Sequence, residues 1–280
     1  MHAVPPAPEE LDALLRLLDD ETPEVRAGVA ERLALCDGDL SEWLATHPRP
    51  LSKREQSVLT RMLSPARRIT LESEWLIPTG GVAALGEDWE TFEAMLRMLS
   101  DFLHDGITIR QPLSDALDLL AEEAGESGVN TANDLRAFLF EGGRLTGNHA
   151  DPDNPNNSDL AWTIAEGRSN PLGLGAVFML VARRMELVVE AVNFPGHFLC
   201  RIFEDGYPII VDCFDQGRLH LQDTLLESPD LGRAERSSLR RAADPGTVLL
   251  RLLNNLVAAL EATDRAEDAL LIRKLRATLK

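Results

Sequence analysis

At 280 residues, with 44% hydrophobic side chains, the chain can build one large folded domain or two to three small ones. Its formal net charge of −18 argues against non-specific binding to nucleic acid or to an anionic membrane surface. Cys36, Cys200 and Cys213 are too widely spaced for a disulfide framework or a zinc pattern, and no apolar run is long enough to span a bilayer.

The first residues, Met1-His2-Ala3-Val4-Pro5-Pro6, lack the basic and apolar regions of a signal peptide, so a cytoplasmic location is expected. After Pro8-Glu9-Glu10, apolar residues recur at helical spacing at Leu11, Leu14, Leu15 and Leu18. Thr22-Pro23-Glu24 restarts a helix, with Thr22 as N-cap and Pro23 in the first turn, and Val25, Val29, Leu33 and Leu35 continue the apolar stripe. This reads as a lone HEAT-like hairpin, since one such unit is not an array. A helix over 53–63 follows, and residues 1–63 are expected to form a helical region.

Further helices are predicted over 89–103, 113–123 and 133–139. The loop Pro78-Thr79-Gly80-Gly81 has no Gly-Lys-Ser/Thr after it and is no phosphate loop. The stretch 149–158 is dense in Asp, Asn and Pro but lacks the EF-hand ligand pattern, so it reads as a rigid surface connection. Asn156-Asn157-Ser158-Asp159-Leu160 then leads through Ser169-Asn170-Pro171-Leu172 into a helix that includes Ala182-Arg183-Arg184-Met185-Glu186-Leu187.

A strand over 188–194 runs into Pro195-Gly196-His197-Phe198-Leu199. Asp205-Gly206, inside Glu204-Asp205-Gly206-Tyr207, signals a two-residue hairpin turn. Closing that hairpin sets Leu199 opposite Asp212 and makes His197 the diagonal neighbour of Asp212 on one sheet face, roughly 7–8 Å away at Cα. An imidazole and a carboxylate so placed are a base and its orienter. Beyond Pro245 the chain is helical again. Leu249, Leu250, Leu253, Leu256 and Leu260 form one helix, and Asp264 opens a second with Ala269, Leu270, Ile272 and Leu275.

The run Pro195-Gly196-His197-Phe198-Leu199, followed by Asp212-Cys213-Phe214-Asp215-Gln216-Gly217-Arg218-Leu219, resembles the transglutaminase-like domain of the bacterial SirB-type family, a branch of the transglutaminase and papain-like superfamily. The likeness is clearest over 135–221 and extends to the Leu249-Leu250-Arg251-Leu252-Leu253-Asn254-Asn255-Leu256 run. It implies an α+β protein. A helical HEAT-like region (1–63) precedes a transglutaminase-like, papain-like domain with a small antiparallel sheet (64–244). A tetratricopeptide-like helix pair (245–280) ends the chain. The resemblance implies a nucleophilic cysteine at the N-terminus of the helix before these strands, where the helix dipole lowers a thiol pKa. This chain has Asn170-Pro171-Leu172-Gly173 there, and none of these is a nucleophile.

The other cysteines do not replace it. Alternation puts Cys200 on the face opposite His197 and turns Cys213 away from Asp212, so both read as small core hydrophobes. His197, Asp212 and His220 could in principle supply metal ligands, but their spacing is not that of a zinc site, and no metal or cofactor is expected. Asn157 and Gly196 are secondary binding candidates, Asn157 with a turn or capping role beside it and Gly196 shaping the approach to His197. Two functions stay open. One is a catalytically degenerate transglutaminase-like protein acting as an interaction or regulatory module with a protein partner. The other is a cysteine-protease-like hydrolase or acyltransferase using His197 and Asp212 with an unexpected nucleophile.

Overall fold

The computed structural model describes residues 6–280, so the leader reading made on Met1–Pro5 lies outside the described residues. The chain divides into two compact units, one running to Trp75 and taking in Asp101–Arg110, the other comprising Leu76–Ser100 and Gln111–Lys280.

The first unit is helical: α1 (Pro8–Arg16), α2 (Pro23–Leu33), α3 (Ser41–Thr46) and α4 (Lys53–Glu74). The apolar stripe read from the sequence is its core, with Leu11, Leu15, Leu18, Val29 and Leu33 buried together with Leu59 and Leu63 of α4. Glu10 of α1 and Arg32 of α2 form a two-pronged ion pair across the hairpin. Thr22 is the N-cap of α2 by position, but its side chain makes no capping bond; Asp20 instead accepts from its backbone N–H at 2.8 Å. Ser52 and Glu55 form a reciprocal capping box that starts α4. The helix expected over 53–63 does not stop there, and the boundary placed after Leu63 falls inside α4. Pro65 is accommodated within the helix, and the turns beyond it have their own buried face of Ala66, Arg67 and Leu71.

The second unit holds most of the chain, starting with the N-terminal part of α5 (Trp89–Leu103) and then α6 (Leu113–Glu126) and α7 (Ala132–Arg136), which runs on into a wider turn over Ala137–Glu141. Next come β1 (Thr146–Gly147), α8 (Leu160–Glu166), β2 (Arg168–Ser169) and α9 (Pro171–Arg184). The strands are β3 (Glu190–Val192), β4 (Leu199–Glu204), β5 (Tyr207–Asp212) and β6 (Arg218–Leu221). The helices α10 (Gln222–Glu227), α11 (Arg233–Arg240), α12 (Pro245–Ala262) and α13 (Ala266–Ala277) complete it. The β3–β6 strands form one antiparallel sheet in sequence order, while β1 and β2 are a separate two-residue parallel pair. The α+β class expected from the sequence is the class observed.

Every residue of α9 from Leu172 to Ala182 is buried, which explains why that helix is apolar all round rather than striped. Cys200 of β4 packs on it at Gly175, whose Cα has no room for a methyl group against Phe198 and Cys200. The other sheet face carries Val192, Leu199 and Ile210, which bury against Leu239 of α11 with Leu225 and Leu231 at the margin. The C-terminal helices pack into this unit: Leu249, Leu252, Leu253 and Leu256 of α12 are fully buried, and Leu279 accepts a backbone bond from Val82. Among the described residues no helix is long and apolar enough to cross a membrane.

Candidate functional site

The β4–β5 hairpin closes at Asp205-Gly206, with Glu204 paired to Tyr207 and Cys200 to Val211. Both turn residues have positive φ, 51° and 82°, the pattern of a type I′ turn that matches the strand twist. Continuing the register one step sets Leu199 against Asp212, and side-chain alternation then places His197 and Asp212 on the face that carries Leu199 and Ile210. The His197 Nε2 lies 2.9 Å from Asp212 Oδ1.

His197 is delivered by a tight turn. Its N–H donates to Phe194 O across Pro195-Gly196, and Gly196 has φ +73°, the left-handed conformation that a type II turn demands at its third residue. Gly196 thus shapes the approach to His197 through its backbone. From α12, Arg251 reaches this turn: its guanidinium donates to Asn193 Oδ1 and to Phe194 O, and it lies 5.7 Å over the Phe198 ring. Burial pulls the Arg251 pKa below its ordinary value. The sequence did carry a signal for this contact, a lone arginine inside the leucine-rich 249–256 run.

Asp212 is four-fifths buried, with 19% of its side chain exposed. Burial works to raise its pKa. The hydrogen bond and electrostatic attraction of His197, with backbone N–H donors from Asp215 and Phe214, outweigh that effect and hold the carboxyl below its ordinary value. Phe214, just after the carboxylate, sets its ring edge against His197 at 6.2 Å and lies 4.4 Å from the ring of His149. Gly147 must be glycine here, since a Cβ would come within 2.9 Å of both Phe214 and His149. His149 and Phe214 were not singled out by sequence reasoning, because their contact joins segments far apart in the chain.

The start of α9 is well formed but chemically blank. Asn170 is the N-cap, its side chain accepting from Gly173 N at 2.8 Å, and Pro171 fills the first helical position. Leu172 is buried, and a side chain at Gly173 would collide with Ser169 Oγ and Asn157 O. The Ser169 hydroxyl is fully buried and donates to Asn157 O at 2.8 Å. Asn157 itself is 2% exposed, and its amide is consumed by Asn148, Asp151 and Pro152. Through these bonds Asn157 ties the 148–158 loop to the base of α9. The capping role sketched for this turn falls to Asp159, which accepts from Trp162 N.

Cys200 and Cys213 are buried on the sheet face away from His197, close enough to interact with each other, and burial pushes the Cys213 thiol pKa well above its ordinary value. Cys36 packs in the core of the first unit.

On the His197 face, the sheet and the α10–α11 segment line a half-open cavity of about 220 Å3. The sheet contributes Leu199, Asp212 and His220 to it, and the turn contributes Phe194 and His197. Leu225, Ser228, Leu231 and Leu239 cover it. His197, Asp212 and His220 share this cavity, yet no group of three or more His, Cys, Asp or Glu among the described residues is arranged to hold a metal ion.

Sequence comparison fits this architecture. A family model described as the transglutaminase-like superfamily matches residues 108–254, more than half of the chain and all of the site. The chain belongs to the transglutaminase-like superfamily. It is 33% identical over 142 residues to a UPF0162 protein of Xylella fastidiosa (strain Temecula1), covering 48% of this chain and 50% of that one. It is 31% identical over 108 residues to a UPF0162 protein of Pseudomonas aeruginosa, covering 38% and 39%. Human F-box only protein 21 is 27% identical over 118 residues, 39% of this chain and 18% of that protein. The chain thus spans at most about half the length of the curated relatives it matches. No solved structure matches it.

Proposed function

We propose that this transglutaminase-like protein is a SirB-type member with a tetratricopeptide-like tail that has kept the base and orienter of the superfamily, lost its nucleophile, and works in the cytoplasm as an interaction or regulatory module for a protein partner. The observation that carries the reading is the start of α9. Asn170, Pro171, Leu172 and Gly173 offer no nucleophilic atom, the Ser169 hydroxyl is buried and committed to Asn157 O, and both thiols of the domain are buried on the other sheet face. His197 retains its partner Asp212, and none of these residues offers it a group to activate. The charge of −18 favours a protein partner over nucleic acid or anionic lipid.

The test is turnover. Purified protein is assayed against ester, amide and acyl-donor substrates beside His197→Ala, with a thermal melt of each. The expected result is no turnover above the uncatalysed rate in either protein and a lower melting temperature in the variant. Turnover that disappears in a well-folded His197→Ala protein would establish the other reading, a cysteine-protease-like hydrolase or acyltransferase built on His197 and Asp212, because loss of a general base costs orders of magnitude in rate.

A further inference from the structure

We infer that the free edge of the sheet, strand β6, is a docking site for an extended segment of a partner protein in which apolar and basic residues alternate, and which adds to the sheet as an antiparallel fifth strand. The inference rests on the interaction-module reading above and names the chemistry of the partner.

The sheet runs β3-β4-β5-β6, so β3 and β6 are its edges. The β3 edge is closed, because Ala243 pairs with Ala191 and donates its N–H to Ala191 O. Nothing among the described residues does the same for β6. The direction of its backbone groups follows from the hairpin. Glu204 and Tyr207 flank a two-residue turn and so exchange both bonds, and bonding pairs then alternate along the ladder. Ile210 and Asp212 therefore turn their backbone groups toward β6, where they meet His220 and Arg218. The N–H and C=O of Leu219 and the N–H of Leu221 are left pointing outward, while Leu221 C=O belongs to the start of α10. Among the described residues, no backbone bond outside the sheet and α10 involves either leucine.

The side chains of this edge are apolar. Leu219 and Leu221 share a face with Val211 and Ile209 and are 37% and 61% exposed. Tyr207, diagonal to Leu221 on that face, is 69% exposed. Edge strands are commonly guarded by a lysine, a proline or a bulge. Arg218-Leu219-His220-Leu221 has no lysine or proline and pairs with β5 in unbroken register. Outward backbone groups flanked by exposed leucines are a template for one more strand. Charge selects the occupant. From Glu204 to Asp230 the chain carries seven carboxylates and one arginine, Arg218, which is paired with Asp215. A second copy would bring two such segments together, each in a chain of net charge −18, so a basic strand is favoured over self-pairing. Apolar residues of the added strand lie beside Leu219, Leu221 and Tyr207. The basic residues between them point to the other face, which carries Asp212.

The experiment uses the full chain and the fluorescence anisotropy of a labelled peptide of about six residues alternating lysine and leucine. In the antiparallel pairing the peptide's leucines stand opposite Leu219 and Leu221, so their amides face β6 and the lysine amides face away. Binding should saturate at one peptide per chain. N-methylating the leucine amides should weaken it at least about tenfold, and N-methylating the lysine amides should leave it nearly unchanged. Leu219→Pro, which removes the outward N–H at a position where an edge strand tolerates proline, should weaken binding to a similar degree. Leu221→Lys should do the same through charge, and it decides the matter where Leu219→Pro melts early. The proposal falls if the peptide does not bind saturably, if both N-methylated peptides bind alike, if an alternating glutamate–leucine peptide binds better, or if folded Leu221→Lys binds normally. It also falls if the chain sediments as a dimer that Leu221→Lys dissociates, since a second copy then occupies the edge. Ester and amide turnover is measured alongside. Turnover would overturn the non-catalytic reading even where the peptide binds, and absence of both binding and turnover would sink the edge site alone.

Discussion

Replacing Arg251 by methionine should loosen the turn that carries His197 without opening the core. Methionine keeps an unbranched apolar stem against Phe198 but removes the donors to Asn193 Oδ1 and Phe194 O. Both acceptors are part-buried, but Phe194 O keeps the N–H of His197, so only Asn193 Oδ1 is left unpaired, at about 1–3 kcal/mol. Partial access to water puts the cost in the lower half of the range, about 1–2 kcal/mol. In a unit of this size that lowers the melting temperature by roughly 2–8 °C. The specific signature is local. Hydrogen exchange should accelerate at the His197 amide, which donates across the turn to Phe194 O, while amides in the middle of β4 and β5 keep their protection. Arg251→Lys should recover only part of the loss, because one ammonium cannot reproduce the fork that spans both acceptors. A melt within about 1 °C of wild type, with unchanged exchange at His197, would refute the idea that α12 sets the presentation of this histidine.

Two more outcomes follow from the electrostatics of the site. The Asp212 carboxyl is held below its ordinary pKa, so its contribution is fully present above the unfolded value of about 3.9 and is lost as pH falls through the lower folded value. Asp212→Asn should therefore cost about 1–2 kcal/mol at neutral pH and progressively less below pH ~4 in urea titrations; a gap between the two proteins that stays constant down to pH ~2 would contradict this. The raised pKa and burial of Cys213 predict slow modification by a thiol reagent in the native state and fast modification after unfolding. Rapid native labelling of Cys213 that depends on His197 would show a reactive thiol where an inert one is expected.

How much of this was legible in the sequence depends on the range of the interactions involved. The pairing of His197 with Asp212 follows from local rules, because Asp205-Gly206 fixes the turn and strand alternation carries the register outward. Strand β3 was harder. The apolar run 188–194 suggests seven residues, but only Glu190–Val192 pair, since Val188 is exposed and Asn193 and Phe194 are taken by Arg251. The β1–β2 pair has two residues in each strand and so has no periodicity to read. The cover over the site was invisible as well. Leu225, Leu231 and Leu239 are scattered among charged residues, and only the sheet beneath them explains their burial. Asn157 was noticed for its place in the motif, yet whether an amide meets a ligand or a carbonyl is decided by a fold that no spacing reports.

If the proposed non-catalytic reading holds, the same interactions explain how a base and its orienter can outlast a nucleophile. A cysteine at the start of α9 would contribute little to stability. Pro171 suits the first helical position at least as well, and Asn170 caps the helix unaided. His197 and Asp212 are in a different position. Asp212 accepts from Phe214 N and Asp215 N and so fixes the turn that leads into β6, while its bond to His197 pins the start of β4 to the end of β5. Phe214, held by that turn, is the residue that meets both His149 and His197. Removing either member of the pair strands partly buried polar groups, whereas removing the nucleophile strands none. On the non-catalytic reading, the surviving His-Asp pair is therefore what stability alone would retain. Its presence by itself is no argument for turnover, and the decisive residues are those at the start of α9.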